Sequence, residues 1–217
     1  MAKGTDFGGI HSHRDLNLIQ QLVEIQPAEP KLNLIDVPGA DGSKDLSDRP
    51  ANRIVYKDRP ITWTFALYPG ARWHDKHRQV SNALNGKRCR ITLDDDPGYY
   101  YDGRLTVKKY NTDKALRQIT VEAVCFPYML KQEQTVVTAE IGTEYAPINM
   151  PNGRKPVVPT ITVDVEATIL WNGKTYAINA GTHNILDVEL QEGENTINVK
   201  TANGTGTISL VYQEGAL

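Results

Sequence analysis

Apolar and polar positions alternate along most of this chain. RITLDDD (90–96), GRLTVKKY (103–110), RQITVEAVCF (117–126), PTITVDVEATILW (159–171), TYAIN (175–179), HNILDVEL (183–190), NTINVKT (195–201) and GTISLVYQ (206–213) each carry β-branched or aromatic residues at period two or in short apolar runs. Each predicts a strand. Asn172-Gly173 predicts a two-residue hairpin, because both central residues of a type I′ turn need φ > 0. Asn203-Gly204 is a second hairpin candidate, and Pro97-Gly98 and Asp102-Gly103 predict turns around Tyr99, Tyr100 and Tyr101. One stretch has a helical period instead. Trp73, His77, Val80 and Leu84 share a face, Arg72, Asp75, Arg78 and Asn82 lie mostly opposite, and Gly86 follows as a left-handed cap. A helix is expected near residues 72–85. RDLNLIQQLVEI (14–25) fits a helix or a strand equally well.

The pattern shifts near residue 131. Pro147, Pro151, Pro156 and Pro159 fall in a short span, followed by strands at spacings of about ten residues with no helical period. The expected fold is mainly β: an N-terminal β-sandwich with one helix (α+β) over 1–132, then a C-terminal antiparallel β-sandwich over 133–217.

Composition narrows the function. The 217 residues carry 24 basic and 26 acidic side chains, a formal net charge of −2, without the basic footprint of a nucleic-acid binder. No apolar run approaches a membrane span. The opening MAKGTDFGGI has no apolar signal segment, so Sec export is not expected. Cys89 and Cys125 each fall in step with apolar strand positions and read as buried thiols, with a bridge between neighbouring strands as the alternative.

Candidate chemistry is sparse. Asp94, Asp95 and Asp96 precede Pro97-Gly98 and read as a turn, since alternation sends successive carboxylates to opposite faces. DDDPGYYYDGR lacks the alternating oxygen ligands and closing Glu of an EF-hand loop. The tyrosines open a strand that divides them between core packing and subunit contact, with a sugar platform as a lesser reading. His11 and His13 could share a strand face, and His74 and His77 a helix face, but neither pair has a third ligand at motif spacing. Nucleophile elbow, Walker loop and dinucleotide fingerprint are all missing. These residues point to no catalytic, cofactor or metal site and to no enzyme.

Several blocks, in order, resemble the distal tail proteins of long non-contractile-tailed bacteriophages. NLIDVPGADGSKDLSDR (33–49) followed by RIVYKDRPITWTFAL (53–67) is similar to that family's DIPG-x-DG-x-x-D loop and the strand with an R-x-I step. NALNGKRCRITLDDDPGYYYDGRLTV (82–107) resembles its helix ending in NGK, then DDDP and a Y-x-GR strand. ITVEAVCFPYM (119–129) is similar to its closing strand, and LQEGENTINVKTANGTGTISLVYQEGAL (190–217) to its ending.

The resemblance implies a structural virion protein. It would form a hexameric ring at the distal end of the tail tube, with a C-terminal sandwich, galectin-like in many members, projecting outward. Implied partners are the tail tube protein, a tail-associated hub or lysin protein and, in some phages, a receptor-binding protein. DNA would pass through the lumen without specific binding, and the subunit would sit in the host cytoplasm before assembly. The matching positions Asp36, Pro38, Gly39, Asp41, Gly42, Asp45, Arg59, Tyr99 and Tyr101 become candidate assembly contacts. The long polar loop 38–53 is expected at a subunit contact or facing the ring interior. The alternative function is a carbohydrate-binding module in the C-terminal sandwich, with Trp171 as the possible sugar contact. A galectin-type site wants an exposed Trp beside His, Asn, Arg and Glu on adjacent strands. Trp171 lies at the rim of the Asn-Gly turn and is the only Trp of that half.

Overall fold

The computed structural model describes residues 3–49, 51–108 and 117–217. The chain divides into two compact units, Met1–Met129 and Leu130–Leu217.

The first unit is built on one antiparallel sheet. Its elements are β1 (Thr5–Phe7), β2 (Leu18–Ile25), β3 (Leu34–Asp36), β4 (Ser43–Asp45), β5 (Arg59–Leu67), α1 (Trp73–Leu84), β6 (Arg88–Leu93), β7 (Asp96–Val107) and β8 (Gln118–Cys125). Six strands run in the order β1-β6-β7-β8-β5-β2. The sheet rolls over so that its own ends make the two layers. Phe7 of β1 meets Trp63 and Phe65 of β5 edge-on across the interior, with ring centroids 5.2 and 6.3 Å apart. Thr5 Oγ1 of the first strand donates to Gln20 Oε1 of the last (2.7 Å). Strict alternation in β5 and β8 sends Ile61, Trp63, Phe65, Ile119, Val121 and Ala123 inward, and α1 adds Val80 and Leu84. Gly86 caps the helix at φ 79°, and its N–H continues to Leu105 O (2.9 Å).

The segment 14–25 resolves to strand: Leu18–Ile25 pairs with β5, because β-branched and apolar residues fit a curled sheet edge better than a helix face. The turn in DDDPGYYYDGR comes earlier than Pro97-Gly98. Asp94-Asp95 form it, Leu93 pairs with Asp96, and Pro97 and Gly98 fall inside β7 where the register jumps. Asp102-Gly103 is strand as well. Lys109 and Tyr110 of the expected strand 103–110 lie outside the described residues.

Gly103 pairs with Cys89 on one side and Cys125 on the other. Two interstrand spacings, about 10 Å, therefore separate the cysteines. That exceeds the roughly 7 Å a disulfide can span. Both thiols are free, and burial pushes that of Cys125 up to about 12.

The second unit is a two-layer sandwich. After β9 (Met129–Lys131) come β10 (Thr135–Ile141), β11 (Ala146–Asn152), β12 (Thr160–Val163), β13 (Ala167–Trp171), β14 (Lys174–Ile178), β15 (Gly181–His183), β16 (Gly193–Thr201), β17 (Gly206–Tyr212) and β18 (Gly215–Ala216). The sheets are β10-β17-β12-β15 and β11-β16-β13-β14. Ile161, Val163, Ile208 and Leu210 of one face Met150, Ile169, Ile197 and Val199 of the other. Pro147 and Pro151 sit in β11, an edge strand, where a missing N–H costs no ladder bond. Asn172 and Gly173 have φ of 47° and 79° and join β13 to β14 as a two-residue hairpin. Asn203-Gly204 makes no hairpin, because β16 and β17 belong to opposite sheets and the loop carries the chain across the core. PTITVDVEATILW likewise breaks into β12 and β13, one in each sheet. HNILDVEL is irregular after His183 apart from one bridge, Val157 to Leu190, and is anchored by Val188 and Leu190, both fully buried in the core.

Candidate assembly surface

Residues 29–45 are exposed throughout. They form a ribbon, with Lys31 N–H on Val55 O (2.8 Å), Lys57 N–H on Glu29 O (2.8 Å) and Leu46 N–H on Asn33 O (2.9 Å). Its outer part is the β3–β4 hairpin, a two-stranded sheet of its own. At about 3.3 Å per residue, the ten steps from Glu29 to Gly39 carry the arm roughly 30 Å along its length. An isolated two-stranded hairpin is marginal in water. This one leans on local polar ties. Ser43 Oγ donates to Asp36 Oδ1 (2.6 Å). Ser47 donates both its N–H and its hydroxyl to Asp45 Oδ1, which holds the Asp45 carboxyl below the usual carboxylate range.

The arm is polar at its tip but apolar along its first strand. Leu32, Leu34, Ile35 and Val37 are 59%, 53%, 46% and 45% exposed. Alternation puts Leu32 and Leu34 on one face with Asp36 and Asp45, and Ile35 and Val37 on the other with Lys31 and Lys44. Exposed apolar residues on both faces of one ribbon mark an interaction element. Six of the candidate contacts lie on it: Asp36, Pro38, Gly39, Asp41, Gly42 and Asp45. The expected polar loop 38–53 covers only the tip and return of the arm; the apolar signal, L-x-L-I-x-V, lies just upstream of Pro38.

The other candidates lie elsewhere. Arg59 is 4% exposed, with its guanidinium 5.8 Å from the Tyr101 ring centroid. Tyr101 is 6% exposed, its hydroxyl reaches Met129 Sδ (3.7 Å), and burial raises its phenol. Both are internal, so neither offers a surface contact; alternation in β7 and β5 turns them inward. Tyr99 is half-buried, and Tyr100 is buried beneath Arg90 (4.7 Å). Trp171 is 6% exposed and belongs to the core of the second unit. It has no free ring face for a sugar, which corrects the carbohydrate-contact expectation.

One arrangement does gather acids and imidazoles. A depression of about 640 Å³ is lined by Lys3, His11, His13, Arg14, Asp94 and Asp95, among others. Its polar groups serve the fold. His11 Nδ1 accepts the N–H of His13 (3.2 Å) and Arg14 (3.1 Å), so Nε2 carries the hydrogen and donates to Asp94 (3.2 Å). Asp94 Oδ2 also accepts Gly4 N–H (2.8 Å), and Lys3 pairs with Asp95 (2.6 Å). The His13 ring meets Leu18 O (3.3 Å), and buried Ser12 Oγ accepts Thr5 N–H (2.9 Å). The aspartates thus clamp the segment before β1 to the β6–β7 turn. On the helix, His77 stacks on Trp73 (5.1 Å), and burial lowers its imidazole with help from His74. Among the described residues, no three His, Cys, Asp or Glu side chains gather to hold a metal ion, and no helix is long and apolar enough to cross a membrane.

No protein-family model matches the chain, and no curated protein matches it in sequence. Among solved structures, the crystal structure of SPP1 Dit (gp 19.1) matches it end to end. That protein is described as a paradigm of the hub adsorption apparatus in phages infecting Gram-positive bacteria. The match covers 98% of this chain and 99% of that one, with a TM-score of 0.65 and 16% sequence identity. The two chains share one fold, mainly β, across both units.

Proposed function

We propose that this chain is a structural component of a siphophage tail: a distal tail protein that forms a hexameric ring between the tail tube and the tip or baseplate. The observation that carries this reading is the end-to-end likeness of both units to SPP1 Dit. The ordered motif blocks from residue 33 to the C-terminal strands support it. The first unit forms the ring, and the second projects as an attachment module. The tail tube protein, a hub or lysin protein and a receptor-binding protein are its partners. DNA passes through the lumen without base readout, and the subunit waits in the host cytoplasm before joining the virion. No chemistry is assigned, because the His11–Asp94 cluster is spent on holding its own chain.

A ring requires heterologous contacts, with one surface of each subunit meeting a different surface of the next. The β3–β4 arm supplies one such surface. Covering its four half-exposed apolar side chains yields about 1 kcal/mol each, or about 4 kcal/mol per arm. The test is native mass measurement with light scattering, plus negative-stain imaging. A sixfold mass and a central hole support the ring. Replacing residues 34–45 by a short Gly-Ser turn should leave the first unit folded but dissociate the assembly. A ring that forms equally well without the arm removes the arm from the reading, and a chain that stays monomeric at every concentration removes the ring.

A further inference from the structure

We infer that the arm of one copy seats on the free edge of β2 in the next copy, by strand addition through β3. This rests on the ring reading above and names the seat that reading leaves open.

Two unfinished edges support it. Among the described residues β2 pairs only with β5, and β3 only with β4. Antiparallel pairing spends alternate residues on each side of a strand. In β2, the Gln26 N–H goes inward to Pro60 O (3.2 Å). That leaves the N–H and C=O groups of Val23 and Ile25 directed at the open edge. In the arm, Lys31 and Asn33 spend theirs inward on Val55, Leu46 and Ser47. Those of Leu32 and Leu34 therefore face out. Natural edge strands are usually blunted by Lys, Pro or a bulge. The register shift of β2 lies at its start, between Gln20 and Leu22, and Leu-Val-Glu-Ile runs on with neither Lys nor Pro.

The side chains match on both faces. Leu22 (49% exposed) and Glu24 pair with Thr64 and Thr62 and share the outer face of the sheet. Val23 and Ile25 (41% exposed) pair with Trp63 and Ile61 on the inner face. The arm carries the complement. Ile35, Val37, Lys31 and Lys44 on one face fit Leu22 and Glu24, apolar to apolar and cation to carboxylate. Leu32 and Leu34 on the other face fit Val23 and Ile25. A strand with apolar residues on both faces has little use for a flat surface, but as an added strand it gains a cross-strand partner on each. An edge and an arm on every copy form a head-to-tail pair of surfaces, the kind of contact that makes a ring where its rotation closes.

The experiment uses the full chain in a Cys89→Ser background; Cys125 is buried. Leu34→Cys and Ile25→Cys copies are co-expressed, purified as assemblies and oxidised. The expected result is a disulfide-linked dimer from the mixture and none from either population alone. In a second arm, Ile25→Pro removes one outward N–H without touching the β5 ladder. It should leave thermal unfolding of the first unit in place and raise the concentration at half-assembly about tenfold or more. A sixfold assembly that never cross-links and is indifferent to Ile25→Pro overturns the β2 seat while leaving the ring intact. A monomer at every concentration overturns the ring and the seat together.

Discussion

Gly103 sits where a side chain has no room. An ideal Cβ there would lie 2.4 Å from Cys125 Sγ, 3.1 Å from Val124 O and 3.2 Å from Cys125 Cα. Ordinary carbon contacts are near 3.5–4.0 Å. The sulfur would have to move by more than 1 Å inside a fully buried strand row. Such overpacking costs about 1–3 kcal/mol. Gly103→Ala should therefore destabilise the first unit by about 2 kcal/mol. For a unit of this size that lowers its melting temperature by roughly 6–10 °C. Calorimetry should show this shift in the first unit's transition alone. The double mutant Gly103→Ala/Cys125→Ala removes the sulfur that the new methyl strikes. It should recover about 1 kcal/mol relative to the sum of the single changes, the two backbone contacts accounting for the remainder. A neutral Gly103→Ala, or a double mutant that is merely additive, would refute the reasoning that sulfur crowding fixes glycine at this position.

The same sulfur sets a pH dependence. An unfolded thiol ionises near pH 8.5, whereas that of Cys125 is held at about 12 by burial. The folded state thus keeps a proton that the unfolded chain gives up. Its stabilisation is complete below about pH 8.5 and lost as pH rises toward 12, at up to about 1.4 kcal/mol per unit. Urea melts between pH 8 and 10 should show the decline, and Cys125→Ala should flatten it. Trp171→Ala should cost the second unit about 3–5 kcal/mol, as core truncations do, with no glycan signal to lose on an array; loss of glycan binding without loss of stability would reopen the sugar reading. Asp94→Ala should cost about 1–3 kcal/mol by stranding Gly4 N–H and His11, with faster hydrogen exchange confined to residues 4–12. Gly173→Ala should cost about 1 kcal/mol through its positive φ, measured by denaturant melts of the second unit.

Local pattern made much of the fold legible. Period two in β8, period 3.6 in α1, and Asn172-Gly173 as a hairpin all depend on neighbours in the chain, and these agree with the structure. What failed was long-range. Asn203-Gly204 carries the same turn chemistry but joins strands of opposite sheets, and only the packing of the second unit reveals that. HNILDVEL has strand composition, yet only its ends pair, His183 with Ile161 and Leu190 with Val157. Arg59 and Tyr101 follow the motif, yet the roll of the sheet faces them inward. As part of the long polar loop 38–53, only the tip and return of the arm stood out in the sequence. Its apolar character was masked because polar residues around the tip dominate the local composition, and two-faced exposure emerges only when the ribbon is seen with nothing packed against it.

Residues Thr135–Tyr212 of the second unit begin and end on the same ladder: Thr135 pairs with Tyr212, and β17 lies between β10 and β12. Its first strand has no hydrogen-bonded neighbour until seventy-odd later residues have been synthesised. On the ribosome that layer stays open until the end, whereas the curled first unit is already complete. Translation therefore delivers a closed Met1–Met129 unit while the Leu130–Leu217 unit still lacks its central strand.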